Sequence, residues 1–215
     1  MSEINKRIIS SLAIISLLII SFYNKTLFSL LLLFIFYQLF HEFLNIFRKI
    51  FNFKKKILLY LLLLTTLIYL ITLIILIWFI IIHNFNDRLL YLYVIILVCM
   101  STDVGGFVFG KLFKGKKLTK ISPNKTYSGM IGSFLSSILI AFVLFSSFFE
   151  KYLLLSIIVI VSTISQFGDI FISYLKRKSN VKDTGYLLPG HGGILDRFDG
   201  IIFAITIGSL FKLTI

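Results

Sequence analysis

The sequence predicts an all-α fold: a polytopic integral membrane helix bundle of about seven transmembrane helices. Three observations predict it. Hydrophobic residues make up 58% of the 215-residue chain and charged residues 14%, against roughly 45–50% and about 25% in soluble domains. A globule this small has too little interior to hide so much apolar surface from water, and nothing so rich in hydrophobes stays disordered. Apolar runs near the ~20 residues of one bilayer crossing recur along the chain. Between them sit basic clusters, and mean hydropathy is +1.00.

The first run, Ile8–Phe22, follows Lys6 and Arg7. No small-residue cleavage site follows it, so it reads as a retained span, not a removed signal. Leu27–Phe47 is the second. Ile57–Ile82 is the ambiguous third, because its length of about 39 Å is long for one crossing and short for two. Charge decides it. Taken as one span, it leaves the N-terminus and segments 48–56, 111–127 and 173–200 on one side, with 18 of the 22 Lys and Arg residues. Splitting it would oppose these clusters, so the positive-inside rule selects one span and a cytoplasmic polar side. Leu89–Phe109, Met130–Phe149, Tyr152–Ile172 and Ile201–Leu213 complete the set.

Net charge is +13. In a membrane protein this basic excess reads as loops held at an anionic leaflet. Nucleic acid is not an expected partner, since no binding module is present and the aromatics lie mostly in the spans. Cys99 is the single cysteine, which excludes disulfide frameworks and cysteine metal clusters; it reads as packing. The acids are uneven. Glu3, Glu42 and Asp87 are alone in the first hundred residues, and both prolines lie in the two large loops. Residues 1–88 therefore read as an N-terminal scaffold of three spans, and 89–215 as the catalytic region, with loops 111–127 and 173–200.

Asp103 and Asp169 sit near the cytoplasmic ends of their spans. An ionised Asp in a span costs about 2.5–3.5 kcal/mol on insertion scales. Such a residue pairs with a cation, lines a wet cavity or binds a metal, and the adjoining Gly, Ser and Gln favour the cavity. In loop 173–200, Asp196 and Asp199 are three apart; a last helix beginning near Asp196 would place both on one side. These acids can answer the helix dipole. Beside Asp169 and among cations they would also make an oxygen site for Mg²⁺, with Lys and Arg to clamp phosphate. His191 has no second His at zinc spacing, so zinc is not expected. Loop 111–127 carries six lysines and no acid. It reads as an anchor on anionic lipid, while Ser122-Pro123-Asn124-Lys125-Thr126 offers several phosphate donors on a proline-fixed turn. Neither a P-loop nor a dinucleotide fingerprint is present.

Ser173-x-x-Lys176-Arg177, Lys182-Asp183-Thr184-Gly185 and Pro189-Gly190-His191-Gly192-Gly193-Ile194-Leu195-Asp196-Arg197-Phe198-Asp199 together resemble the signature of the phosphatidate cytidylyltransferase (CDP-diacylglycerol synthase) family. Asp103-x-Gly105-Gly106 with Gly110-Lys111, Ser122 to Thr126 with Gly129 and Gly132, and Ser165-Gln166-x-Gly168-Asp169 resemble that family's other blocks, in order. The resemblance covers roughly residues 89–200. It departs in two places: Thr184 stands where Ser is usual, and the N-terminal half is shorter by about two spans.

The resemblance implies an enzyme that condenses CTP with phosphatidic acid to CDP-diacylglycerol and pyrophosphate in phospholipid biosynthesis, using Mg²⁺. It leaves room for a second cation and for a homodimer. The implied location is the bacterial inner membrane, with the site facing the cytoplasm. Asp169, Asp196, Lys176, Arg177, Lys182, His191 and Arg197 would be catalytic. Asp103, Ser122, Asn124, Lys125, Thr126, Asp183, Gly192 and Gly193 would bind substrate, and Asp169, Asp196 and Asp199 the metal. A phosphate monoester is a competent nucleophile near neutral pH, so His191 is expected to organise its loop or contact phosphate and not to act as an obligatory base. Two alternatives stay open: nucleotidyl transfer to another lipid phosphate, and a small ion or solute transporter using the intramembrane acids.

Overall fold

The computed structural model describes residues 25–51, 56–82, 86–119, 121–187 and 192–214. Among the described residues five helices are long and apolar enough to cross a membrane: α1 (Lys25–Phe51), α2 (Lys56–Ile82), α3 (Asn86–Phe113), α4 (Tyr127–Phe145) and α5 (Lys151–Lys178). They are followed by the short α6 (Leu195–Phe198) and by α7 (Ile201–Thr214). No strand occurs among the described residues, only an isolated bridge between Lys117 and Thr126. The all-α membrane bundle expected from composition is thus the observed architecture. The expected first span, Ile8–Phe22, lies outside the described residues.

The Ile57–Ile82 segment is one unbroken helix, as the charge distribution requires. At ~1.5 Å per residue it is about 40 Å long, which a tilt accommodates. The Met130–Phe149 expectation is displaced toward the N-terminus. Thr126 starts α4 by accepting the Gly129 N–H at 3.1 Å through its hydroxyl. Ser146 ends it, its N–H reaching the Phe142 carbonyl. The Thr126 side-chain cap, invisible to a hydropathy window, sets the N-terminal end.

The described parts of Met1–Trp78 with Leu175–Phe198 form one compact unit; those of Phe79–Tyr174 with Asp199–Ile215 form a second. In the first, α1 buries Leu39, Phe43 and Ile46 and exposes Leu30, Leu33, Phe34 and Tyr37. Both faces are apolar, the mark of a helix with protein on one side and lipid on the other.

In the second unit α3 and α4 pack through small residues. A Cβ at Gly105 would lie 1.8 Å from Ser136 Oγ, and one at Gly129 2.7 Å from the Gly106 carbonyl. Ser133 and Ser136 donate to the Thr102 and Ser101 carbonyls across the interface, each at 2.8 Å. Lipid gives helices no hydrophobic reason to associate, so close backbone approach and such bonds carry the contact. Val94, Ile95, Val98, Leu154, Ile158, Val161 and Ala204 are buried, and so is Cys99, which accords with a packing role for that thiol.

The last helix does not begin at Asp196. α6 closes at Phe198, a turn runs through Asp199 and Gly200, and α7 starts at Ile201. Asp196 and Asp199 therefore do not share the face of one helix. Gly200 stands at the break, its backbone against Ser165, where a Cβ would meet Ser165 Oγ at 2.4 Å and the Ser165 carbonyl at 2.8 Å.

Candidate functional site

The first unit carries a folded polar loop. It starts where α5 stops. Asn180 takes the left-handed conformation, φ 54°; its N–H reaches the Arg177 carbonyl at 3.1 Å, and the Val181 N–H reaches that of Lys176 at 3.0 Å. This pair of bonds is the Schellman arrangement that closes a helix and turns the chain. It leaves Lys176 on the last turn, aimed at Asp196.

Asp196 gathers the loop around its carboxylate. Lys176 Nζ donates to its Oδ1 at 2.8 Å. Its Oδ2 accepts the Thr184 N–H at 2.7 Å, the Gly193 N–H at 3.0 Å and the Thr184 hydroxyl at 3.0 Å. Burial alone would raise this carboxyl. The Lys176 bond, the Gly193 and Thr184 amides and the Lys176 charge oppose burial and hold it below its ordinary value. Gly192 sits at φ 81°, where L side chains are strained, and a Cβ there would also approach Asp196 Oδ2 to 2.7 Å.

Beneath this loop is Glu42, on α1 and only 1% exposed. It accepts four bonds, all from neutral donors. Oε1 takes the Ile194 N–H at 2.9 Å and Gln38 Nε2 at 3.2 Å. Oε2 takes the Leu195 N–H at 2.9 Å and the Thr184 hydroxyl at 2.5 Å. A carboxylate has about four acceptor sites, so this buried charge is fully satisfied. Gly185 and Gly193 leave it room: a Cβ would lie 3.0 Å from Glu42 Oε1 at Gly185 and 2.3 Å from Oε2 at Gly193.

Glu42 and Thr184 were not among the candidates from sequence. The signal for Glu42 was available in principle: it is the sole acid inside the Leu27–Phe47 run, where a charge is costly enough to need a purpose. Arg177, Lys182, Asp183 and Arg197 are exposed. His191 lies outside the described residues.

The second unit holds the other polar cluster. Lys125 forms an ion pair with Asp169 Oδ2, the two side chains being 24% and 30% exposed. Ser173 donates to Asp169 Oδ1 at 3.4 Å. Asp103, with an accessible side chain, lies within electrostatic reach of both Asp169 and Lys125. Lys125 is held by its turn. Its N–H bonds the Ser122 carbonyl at 3.0 Å and its carbonyl accepts the Leu118 N–H at 2.7 Å. The Thr126 hydroxyl caps α4 and contacts Ser128 Oγ at 2.9 Å. Of the phosphate-facing residues expected in 122–126, the structure thus sets Lys125 beside an acid and Thr126 at a helix start. Ser122 is partly buried and Asn124 exposed. Asp199 accepts the Gly200 N–H at 2.9 Å, and its carbonyl lies where a Cβ on Gly168 would come within 2.9 Å.

Among the described residues no group of three or more His, Cys, Asp or Glu is placed to hold a metal. An all-protein cage is therefore not what these residues offer. Mg²⁺, however, usually takes one or two carboxylates and completes its shell with water and substrate phosphates. Asp169 with Asp103 nearby fits that donor set. Asp196, engaged on both oxygens, would reach a cation only through Oδ1 in place of Lys176.

Comparison with known proteins gives the family. A model of the cytidylyltransferase family matches residues 62–214. A protein of Rickettsia prowazekii named phosphatidate cytidylyltransferase is 38% identical over 208 residues, covering 91% of this chain and 86% of the relative. Proteins of the same name from Rickettsia conorii and Staphylococcus haemolyticus are 42% identical over 145 residues and 44% identical over 124. The matched stretches cover 63% and 56% of this chain, and span 62% and 48% of those relatives. Every candidate from Asp103 to Asp199 falls inside the matched region, and the resemblance read from the loop motifs holds: the chain belongs to the cytidylyltransferase family.

Proposed function

We propose that the chain is a phosphatidate cytidylyltransferase, joining CTP and phosphatidic acid into CDP-diacylglycerol with release of pyrophosphate. The observation that carries this reading is the inclusion of both polar clusters, Glu42 apart, in the family-matched segment 62–214. The printed names of the relatives supply the substrate class. An amphiphilic acceptor suits the architecture, since its acyl chains stay in lipid while its headgroup meets loops rich in cations. The positive-inside distribution of those cations supports a site facing the cytoplasm of a bacterial inner membrane.

An oxygen of the lipid phosphate attacks the α-phosphorus of CTP. The new P–O bond forms as the bond from that phosphorus to the bridging oxygen breaks, and the electron pair leaves on pyrophosphate. Both reactants are polyanions, so the protein's work is neutralisation and in-line placement. Exposed Arg177, Lys182 and Arg197 offer charge to the triphosphate and its leaving group. Lys125, partnered by Asp169, is positioned to share a phosphate oxygen. Lys176 is held by Asp196 and serves to fix the loop from which the neighbouring cations project. Mg²⁺, bound by Asp169 with Asp103 in support, would supply further charge neutralisation at the phosphates.

The test is an assay of the purified full chain with phosphatidic acid, radiolabelled CTP and Mg²⁺, scored for a lipid-soluble cytidine product. The product is expected with CTP and expected to disappear with EDTA. No product from phosphatidic acid, with product from an ether-linked or polyprenyl phosphate, would replace the acceptor. No transfer to any lipid phosphate would refute the reading.

A further inference from the structure

We propose that Glu42 is a positioning residue for the reaction, acting from α1 through the loop that carries Lys176 and Asp196. It stands outside the matched segment 62–214, yet it bonds three points of the loop: the Thr184 hydroxyl and the Ile194 and Leu195 amides. These partners lie 142, 152 and 153 residues away in sequence. Each bond is charge-assisted, and charge-assisted bonds are roughly twice as strong as neutral ones.

Thr184 is the joint. Its hydroxyl lies 2.5 Å from Glu42 Oε2 and 3.0 Å from Asp196 Oδ2, and it has one proton to give. The shorter contact makes Glu42 the main acceptor. That fixes the Thr184 rotamer and leaves its N–H, at 2.7 Å, to hold Asp196 Oδ2. The other Asp196 oxygen is thereby turned to Lys176. Glu42 touches no substrate in this scheme. It fixes where Asp196, Lys176 and the adjoining cations stand. Charge on the departing pyrophosphate is greater in the transition state than in bound CTP, so misplaced cations lower turnover more than they weaken CTP binding.

The kinetic consequence rests on the activity proposed above; the structural one does not, and the experiment separates them. Full-length Glu42→Gln, Thr184→Ser, Thr184→Val and the double variant Glu42→Gln/Thr184→Val would be reconstituted in lipid. Amide exchange over residues 182–197 and initial rates against CTP would then be measured. Gln keeps the shape of Glu42 but turns an NH₂ donor toward donors. Exchange in that stretch is expected to quicken at least about tenfold, with peptides of α3 and α4 unchanged. We expect kcat to fall about 10- to 100-fold, with KM for CTP moving less than about threefold. Thr184→Ser, which keeps the hydroxyl, should stay within about twofold of the parent. Thr184→Val should behave like Glu42→Gln, and the double variant should be no worse than Glu42→Gln alone.

Parent-like exchange and kcat in Glu42→Gln would overturn the proposal. Additive losses in the double variant would do so too, as would a loss expressed in KM alone. If Glu42→Gln fails to insert, the contrast of Thr184→Ser with Thr184→Val decides by the same readouts. A parent chain without cytidylyl transfer would refute the activity, while the exchange measurements still judge the tether.

Discussion

Replacing Gly193 by alanine tests the loop at its tightest point. The added methyl would lie 2.3 Å from Glu42 Oε2 and 2.3 Å from Thr184 Oγ1. Ordinary contact begins at 3.4 Å, so both groups must withdraw by about 1 Å. Neither has open space, Glu42 being 1% and Thr184 8% exposed. A shift of that size takes the 2.9 Å bonds from Ile194 and Leu195 to Glu42 beyond hydrogen-bond range. Bonds to a charged group are worth about 1.5–3 kcal/mol each. Losing two, with partial relaxation, destabilises the closed loop by about 3–4 kcal/mol, a factor of roughly 10²–10³ in its opening equilibrium. Hydrogen exchange of the protein in lipid nanodiscs reads this directly. Peptides covering 182–197 should exchange about 10²-fold faster or more, while those of α3 and α4 keep their rates. Exchange within threefold of the parent across 182–197 would mean that the methyl is accommodated and that the Glu42–Gly193 apposition is wrong.

Three further outcomes rest on the same geometry. Thr126→Ala removes the oxygen that caps α4, which should cost about 1 kcal/mol and lower the thermal midpoint by roughly 2–4 °C; an unchanged midpoint, or one not recovered by Thr126→Ser, would count against the cap. Asp169→Asn should abolish most turnover without preventing membrane insertion, whereas near-normal rates would remove Asp169 from the metal. The Asp196 carboxyl is held below its ordinary value of 3.8, so its folded form favours the charged state. Its contribution to loop stability is therefore complete above the unfolded value, about 3.9, and is lost as pH falls through the lower folded value. Exchange at 182–197 should thus rise on acidification below about pH 4 in the parent, and this acid-dependent rise should be smaller in Asp196→Asn.

Helices were legible because a bilayer sets their length, and the unity of Ile57–Ile82 because basic residues flank it at distances that only one crossing reconciles. The helix ends were not. Thr126 fixes the start of α4 through a single polar bond, which leaves no mark on an average of hydrophobicity. The pairing of Asp196 with Asp199 on one helix failed for a related reason. Three-residue spacing predicts a shared face only if the helix continues, and here a turn at Asp199 and Gly200 intervenes.

Glu42 exposes the deeper limit of reading a chain segment by segment. A scaffold in the first three spans and a site in the rest is the natural division of this sequence, since polar motifs crowd the second half. Yet the glycines at 185 and 193 have little meaning within their own segment. Their missing side chains make room for a carboxylate from α1, and the amides of Ile194 and Leu195 end on that carboxylate. A motif that looks like a row of substrate contacts is, in part, a row of contacts with the scaffold. Substitutions at such glycines will then reduce activity through the loop's shape before any phosphate is bound. Motif identity alone cannot separate these two causes, but exchange measured without nucleotide can, because only the scaffold contacts exist in that state.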